Sequence, residues 1–139
     1  AVDAQDGPAT TIFIADASVA ETTAALAVLY RTGRIRRSAW EGAFDEFMDD
    51  VAWRYQLVGT HRDDFFAAAS MTCNHSLKAY DAVQLAIALR HNRALAEYGL
   101  QATFVSGDRA LIQAAQAEGL STDNPFEHGL PQDTLHSRA

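Results

Sequence analysis

The chain has a single cysteine, Cys73, among 139 residues. That excludes an internal disulfide framework and fits a reducing compartment. With no second thiol to pair with, Cys73 is expected to pack in the core. Long apolar runs are lacking too, and none approaches the length that spans a bilayer. The first ten residues hold two aspartates and no basic residue, so neither a signal peptide nor a transmembrane helix is expected. These absences point to a soluble, cytoplasmic chain with no membrane partner.

Several chemistries are excluded in the same way. No Walker or dinucleotide glycine motif occurs. Ser18 has no G-x-S-x-G context, which argues against a hydrolase nucleophile. His61, His75, His91, His128 and His136 lack ligand spacing such as His-x-x-x-His and are read as surface residues. Positive charge is scarce: the formal net charge is −7. A protein that coats nucleic acid through bulk electrostatics is therefore not expected. A nuclease built around a divalent cation remains compatible, because it gathers carboxylates at the cleavage point and keeps basic residues on the rim. Arg31, Arg34, Arg36 and Arg37 fall within seven residues, and Glu41, Asp45, Glu46, Asp49 and Asp50 follow directly. A pair of solvated helix faces is the simpler reading of both runs.

What is present is an alternation of strands and helices. Thr11 to Ala15 (TIFIA) is β-branched and apolar, as in a short buried strand. Asp16 to Ser18 offers capping side chains, Ala20 to Tyr30 has helical spacing, and Gly33 stops the helix. Ser38 is expected to cap a second helix to about Val51, with Trp40, Phe44, Phe47 and Met48 on one stripe. A strand at Tyr55 to Val58 and a helix at His61 to Thr72 follow. The longest helical pattern, Leu77 to Tyr98, points Ala82, Leu85, Ala86 and Leu89 inward and ends at Gly99. TFVS (Thr103 to Ser106) reads as a buried strand, then Gly107-Asp108 and a helix to Glu118 ended by Gly119. Leu120 to Thr122 adds a last strand. This predicts one α/β domain over residues 1–125 with a parallel sheet covered on both faces, and a mobile tail over residues 126–139.

In such sheets functional groups collect at the carboxyl ends of the strands. Three carboxylates stand at that kind of position: Asp108 after TFVS, Asp81 near the start of the long helix, and Glu21, expected in the first turn after TIFIA. An acid at a helix start also complements the dipole and caps free N–H groups, which accounts for each taken singly. Three at one sheet edge would repel one another without a counter-charge. Hard oxygen donors select magnesium or manganese, which suits work on a phosphodiester.

LKAYDAVQLAIAL (Leu77 to Leu89), TFVSGDRALIQAAQAEGL (Thr103 to Leu120) and Asn124-Pro125 together resemble the C-terminal half of PIN domains, above all the VapC-like toxins of bacterial toxin–antitoxin pairs. FIADASVAETTAAL resembles the segment in which a strand leads into the helix bearing that family's glutamate. The resemblance runs from about Thr11 to Pro125. It implies metal-binding roles for Asp81, Asp108 and Glu21, with Ser106 as the supporting hydroxyl that orients Asp108. It further implies a three-layer α/β/α sandwich on a Rossmann-like parallel sheet, and endoribonuclease activity on single-stranded RNA with magnesium or manganese. In-line attack of water on phosphorus is the expected reaction. An antitoxin and a second copy of the chain are the expected protein partners. The Arg31 to Arg37 cluster would steer RNA. Lys78 and Arg109 flank two of the acids, where they would touch substrate phosphates or, equally simply, balance local negative charge.

The match departs from the family at one end. PIN domains open with a strand ending in D-x-S or D-x-T, whose aspartate is a principal ligand. Asp16-Ala17-Ser18 has that form. Reading Asp16 as the opening aspartate leaves 65 residues to Asp81 and forces Glu41 or Glu46 into the second acidic position, without an E-x-x-x-A-L context. Reading Glu21 as the second acid leaves no room for an opening strand and helix. The second reading is preferred, and it predicts a chain without the family's first strand. A sheet lacking that strand would expose backbone and apolar faces. An oligomeric, partner-bound or marginally stable chain would result. The alternative function is then a catalytically incomplete PIN-like module that acts by binding an antitoxin or itself.

Overall fold

The computed structural model describes residues 10–127. The expected N-terminal loop and nearly all of the expected tail lie outside the described residues. Those described form a mixed α/β chain of five helices and four short strands. They fall into two compact units that divide between Thr60 and His61.

In the first unit, strand β1 (Ile12–Ala15) leads through helices α1 (Ala17–Arg31) and α2 (Arg37–Trp53) to strand β2 (Tyr55–Val58). The two helices return the chain to the edge where it started, so β2 pairs with β1 in parallel. Ile12 lies opposite Tyr55 and Ala15 opposite Val58. The Asp16 N–H extends the ladder by one bond, donating to the Val58 carbonyl at 3.0 Å. Ser38 does not cap α2. The chain enters that helix from Arg36, whose backbone is extended (φ −75, ψ 159), so Ser38 falls inside the first turn. The aromatic stripe does form. Trp40 stacks on Tyr30 with ring centroids 5.1 Å apart, and Phe47 meets Tyr55 at 6.4 Å. Even so, no residue of α1 or α2 is fully buried.

The second unit carries the core. It runs α3 (Arg62–Asn74), α4 (Ala79–Ala96), β3 (Thr103–Val105), α5 (Arg109–Ala117) and β4 (Ser121–Asp123). Ala68 and Met71 of α3, Ala82, Leu85 and Ala86 of α4, and Leu111, Ala114 and Ala115 of α5 form one buried cluster, closed by Leu120. The alanines remove side-chain bulk where helices meet. Leu85, fully buried, supplies about 2 kcal/mol of apolar transfer energy by itself. Gly33, Gly99 and Gly119, expected to end helices, all have positive φ (74, 70 and 92), the left-handed conformation of a helix C-terminus.

Cys73 is exposed, not packed in the core. Helix α3 is apolar on more than one side, and the face it buries is that of Ala68 and Met71, which leaves Phe65 and Phe66 more than half exposed.

β3 and β4 are parallel, Thr103 opposite Ser121 and Val105 opposite Asp123. The parallel alternation is thus as expected, but the described strands pair as two two-stranded sheets, β1–β2 and β3–β4. Each strand–helix–strand segment closes its own pair, and no described strand has a second strand neighbour. No helix among the described residues is long and apolar enough to cross a membrane.

Candidate functional site

Because β3 and β4 are parallel, their carboxyl ends share one edge, and Ser106 and Asp108 follow directly from it. The Ser106 N–H donates to the Asp123 carbonyl at 3.2 Å and carries the ladder one step past β3. The chain then turns at Gly107 into Asp108, the N-cap of α5, whose Oδ1 accepts from the Leu111 N–H at 3.1 Å. Ser106 acts on Asp108 through the backbone, since its Oγ accepts from the Asp108 N–H at 3.1 Å. Asp108 is exposed, and its Oδ2 has no hydrogen bond among the described residues. Capping therefore occupies one carboxylate oxygen and leaves the other available.

Asp81 lies in the first turn of α4, as expected, and is half-buried. No hydrogen bond or ion pair reaches its carboxylate among the described residues. Lys78 stands at the cap position of α4 and Arg109 opens α5, both exposed.

Glu21 belongs to the first unit and is exposed. It lies in the second turn of α1, not the first. Asp16 caps the helix directly after β1, so α1 starts at Ala17, four residues ahead of Glu21. Asp16 itself is held at the carboxyl edge of β1–β2. Its Oδ1 accepts from Thr60 Oγ1 at 2.6 Å and from the Ala17 N–H at 2.7 Å, and its Oδ2 from the Thr60 N–H at 3.3 Å. The Thr60 hydroxyl, followed by the two backbone N–H groups, keeps its carboxyl below the usual aspartate value despite the opposing effect of desolvation. The four arginines of the α1–α2 turn are all exposed. Arg37 pairs with Glu41 at 2.8 Å, and Arg31, Arg34 and Arg36 have no ion pair among the described residues.

No group of three His, Cys, Asp or Glu side chains that could hold a metal ion is found among the described residues. The donor chemistry nonetheless suits magnesium, which takes one or two carboxylates and keeps most of its water. Asp81 and Asp108 each carry a carboxylate oxygen with no hydrogen bond among the described residues.

Two ion pairs of the second unit escaped the sequence reading. Asp64, 2% exposed, accepts from Arg90 Nε at 2.9 Å and Nη2 at 3.0 Å, and from the His61 N–H at 2.7 Å. His75 is not a plain surface histidine, because its Nε2 meets Glu118 Oε1 at 2.9 Å and ties the end of α3 to the end of α5. The capping half of the Asp64 arrangement had a sequence signal, an acid three residues after the cap position His61. Its pairing with Arg90, 26 residues away, had none. No family model matches the chain, and comparisons with curated proteins and with solved structures find no match.

Proposed function

We propose that the chain is a metal-dependent endoribonuclease of the PIN type, cleaving single-stranded RNA in the cytoplasm as the toxin of a toxin–antitoxin pair. The observation that carries this reading is the pair of available carboxylates in the second unit. Asp81 is half-buried without a partner, and Asp108 keeps one oxygen free at the carboxyl edge of β3. On this reading Asp81 and Asp108 hold magnesium or manganese. Such an ion supplies Lewis acidity and charge neutralisation at a phosphodiester. Ser106, whose Oγ accepts from the Asp108 N–H, keeps the Asp108 backbone in the conformation that caps α5. Lys78 and Arg109, beside the two acids, bind substrate phosphates, while Arg31, Arg34, Arg36 and Arg37 draw the RNA backbone in. The three-layer α/β/α sandwich belongs to the same proposal.

A second reading has one observation in its favour. The first unit buries no residue of its helices, and Ile12, Phe13 and Leu57 on its strands are 40%, 39% and 50% exposed. Apolar strands in that state gain from pairing with another chain. The module would then be catalytically incomplete and act by binding an antitoxin or a second copy of itself.

Cleavage of a fluorogenic single-stranded RNA with magnesium, with and without a chelator, separates the two. Metal charge stabilisation is worth about 3 kcal/mol or more. Asp81→Asn and Asp108→Asn should each therefore slow cleavage by roughly 100-fold. No cleavage by a folded parent chain, together with a dimer by sedimentation, would replace the nuclease by the binding module.

A further inference from the structure

The carboxyl edge of β3–β4 also holds an aromatic ring in an unusual position. Phe126 is 80% exposed, yet the chain fixes its place from two sides. Asn124, only 8% exposed, bends the backbone after β4: its Oδ1 accepts from the Phe126 N–H at 3.0 Å, and its carbonyl accepts from the Glu127 N–H at 3.1 Å. The ring then lies against Gly107, the residue before Asp108. A Cβ at position 107 would stand 2.7 Å from Phe126 Cδ2 and closer still to Cε2, so glycine is what lets the ring approach. A buried polar turn and a glycine together hold in water a large apolar surface that hydrophobic energetics alone would cover.

We infer that Phe126 is a stacking platform for one base of a single-stranded RNA whose scissile phosphate lies at Asp108. The inference rests on the ribonuclease reading and adds to it the residue that positions the substrate. Protein sites for single strands combine phosphate contacts with aromatic faces on which bases stack, and stacking tolerates any base. Here Arg109, next in sequence to Asp108 at the start of α5, supplies the charge and Phe126 the face. The ring's contact, Gly107, immediately precedes the carboxylate residue. Phe126 is a positioning residue and touches none of the reacting atoms.

The test is fluorescence anisotropy of a labelled ten-nucleotide single-stranded RNA with the full chain in chelator, alongside the cleavage assay in magnesium. Phe126→Leu keeps an apolar side chain but removes the ring and should weaken binding roughly 10- to 100-fold. Phe126→Trp should bind as well as the parent or better. In cleavage, the leucine variant should raise KM far more than it lowers kcat. A leucine variant that binds and cleaves like a competent parent overturns the platform and leaves the ribonuclease reading standing. A parent that neither binds nor cleaves RNA overturns both, and Phe126 then becomes a candidate contact for a protein partner.

Discussion

Replacing Asp64 by asparagine should lower the melting temperature by roughly 10 °C. The carboxylate is nearly inaccessible and accepts three bonds, two from Arg90 and one from the His61 N–H. Asparagine keeps one acceptor oxygen and turns an NH2 group toward a donor, so one of those bonds becomes a donor–donor clash. Removing one member of a buried ion pair costs about 3–5 kcal/mol. The Arg90 side chain is 25% exposed, and water recovers part of that cost. A loss of about 2–3 kcal/mol remains, at about 3–5 °C per kcal/mol for a chain of this size. The pH dependence follows from the same contacts. Burial alone would push the Asp64 carboxyl up, but the Arg90 hydrogen bonds and the His61 N–H outweigh it and hold the group below its ordinary 3.8. A depressed folded value means that the stabilisation is fully present above about pH 4 and is lost as pH falls through the folded value. Melts followed by circular dichroism at pH 7 and pH 3 should therefore show a large difference between parent and variant at the first and a smaller one at the second. Asp64→Leu with Arg90→Met should recover much of the loss, since an apolar pair of similar volume leaves no charge stranded. An asparagine variant melting within 2 °C of the parent at pH 7 would refute the reasoning.

Thr60→Val removes the 2.6 Å hydroxyl bond to Asp16, and the carboxyl-carbon NMR titration of Asp16 should move up toward the ordinary aspartate value. The same variant should cost about 1 kcal/mol or less, because the pair is exposed. Cys73 should react stoichiometrically with a thiol reagent in the native chain, and protection that ends only on unfolding would contradict its exposure.

How much of this was legible in the sequence depends on whether the signal was local. Strand β2 was readable to the residue because Tyr55 to Val58 is short, apolar-flanked and set between two helical patterns. Asp108 was readable as a cap because Gly107-Asp108 follows an apolar strand directly. The same logic misjudged α2, where the extended Arg36 moved the start ahead of Ser38. It placed Cys73 in the core because the thiol has no second thiol to pair with, and periodicity could not choose between the Phe65–Phe66 face and the Ala68–Met71 face of α3. Packing against α4 and α5 made that choice. The pairings Asp64–Arg90, His75–Glu118 and Asp16–Thr60 join residues 26, 43 and 44 positions apart, and no local pattern encodes them. For the candidate site, position was legible for Asp81 and Asp108. The Phe126 ring was not, because only the fold brings it to Gly107.

The central claim, that Asp81 and Asp108 hold a divalent cation, is tested most directly by calorimetric titration of the full chain with manganese. Saturable binding is expected in the parent and should be lost in both Asp81→Asn and Asp108→Asn, with each variant still folded by circular dichroism. Binding that persists in either variant, or no binding in a folded parent, would contradict it.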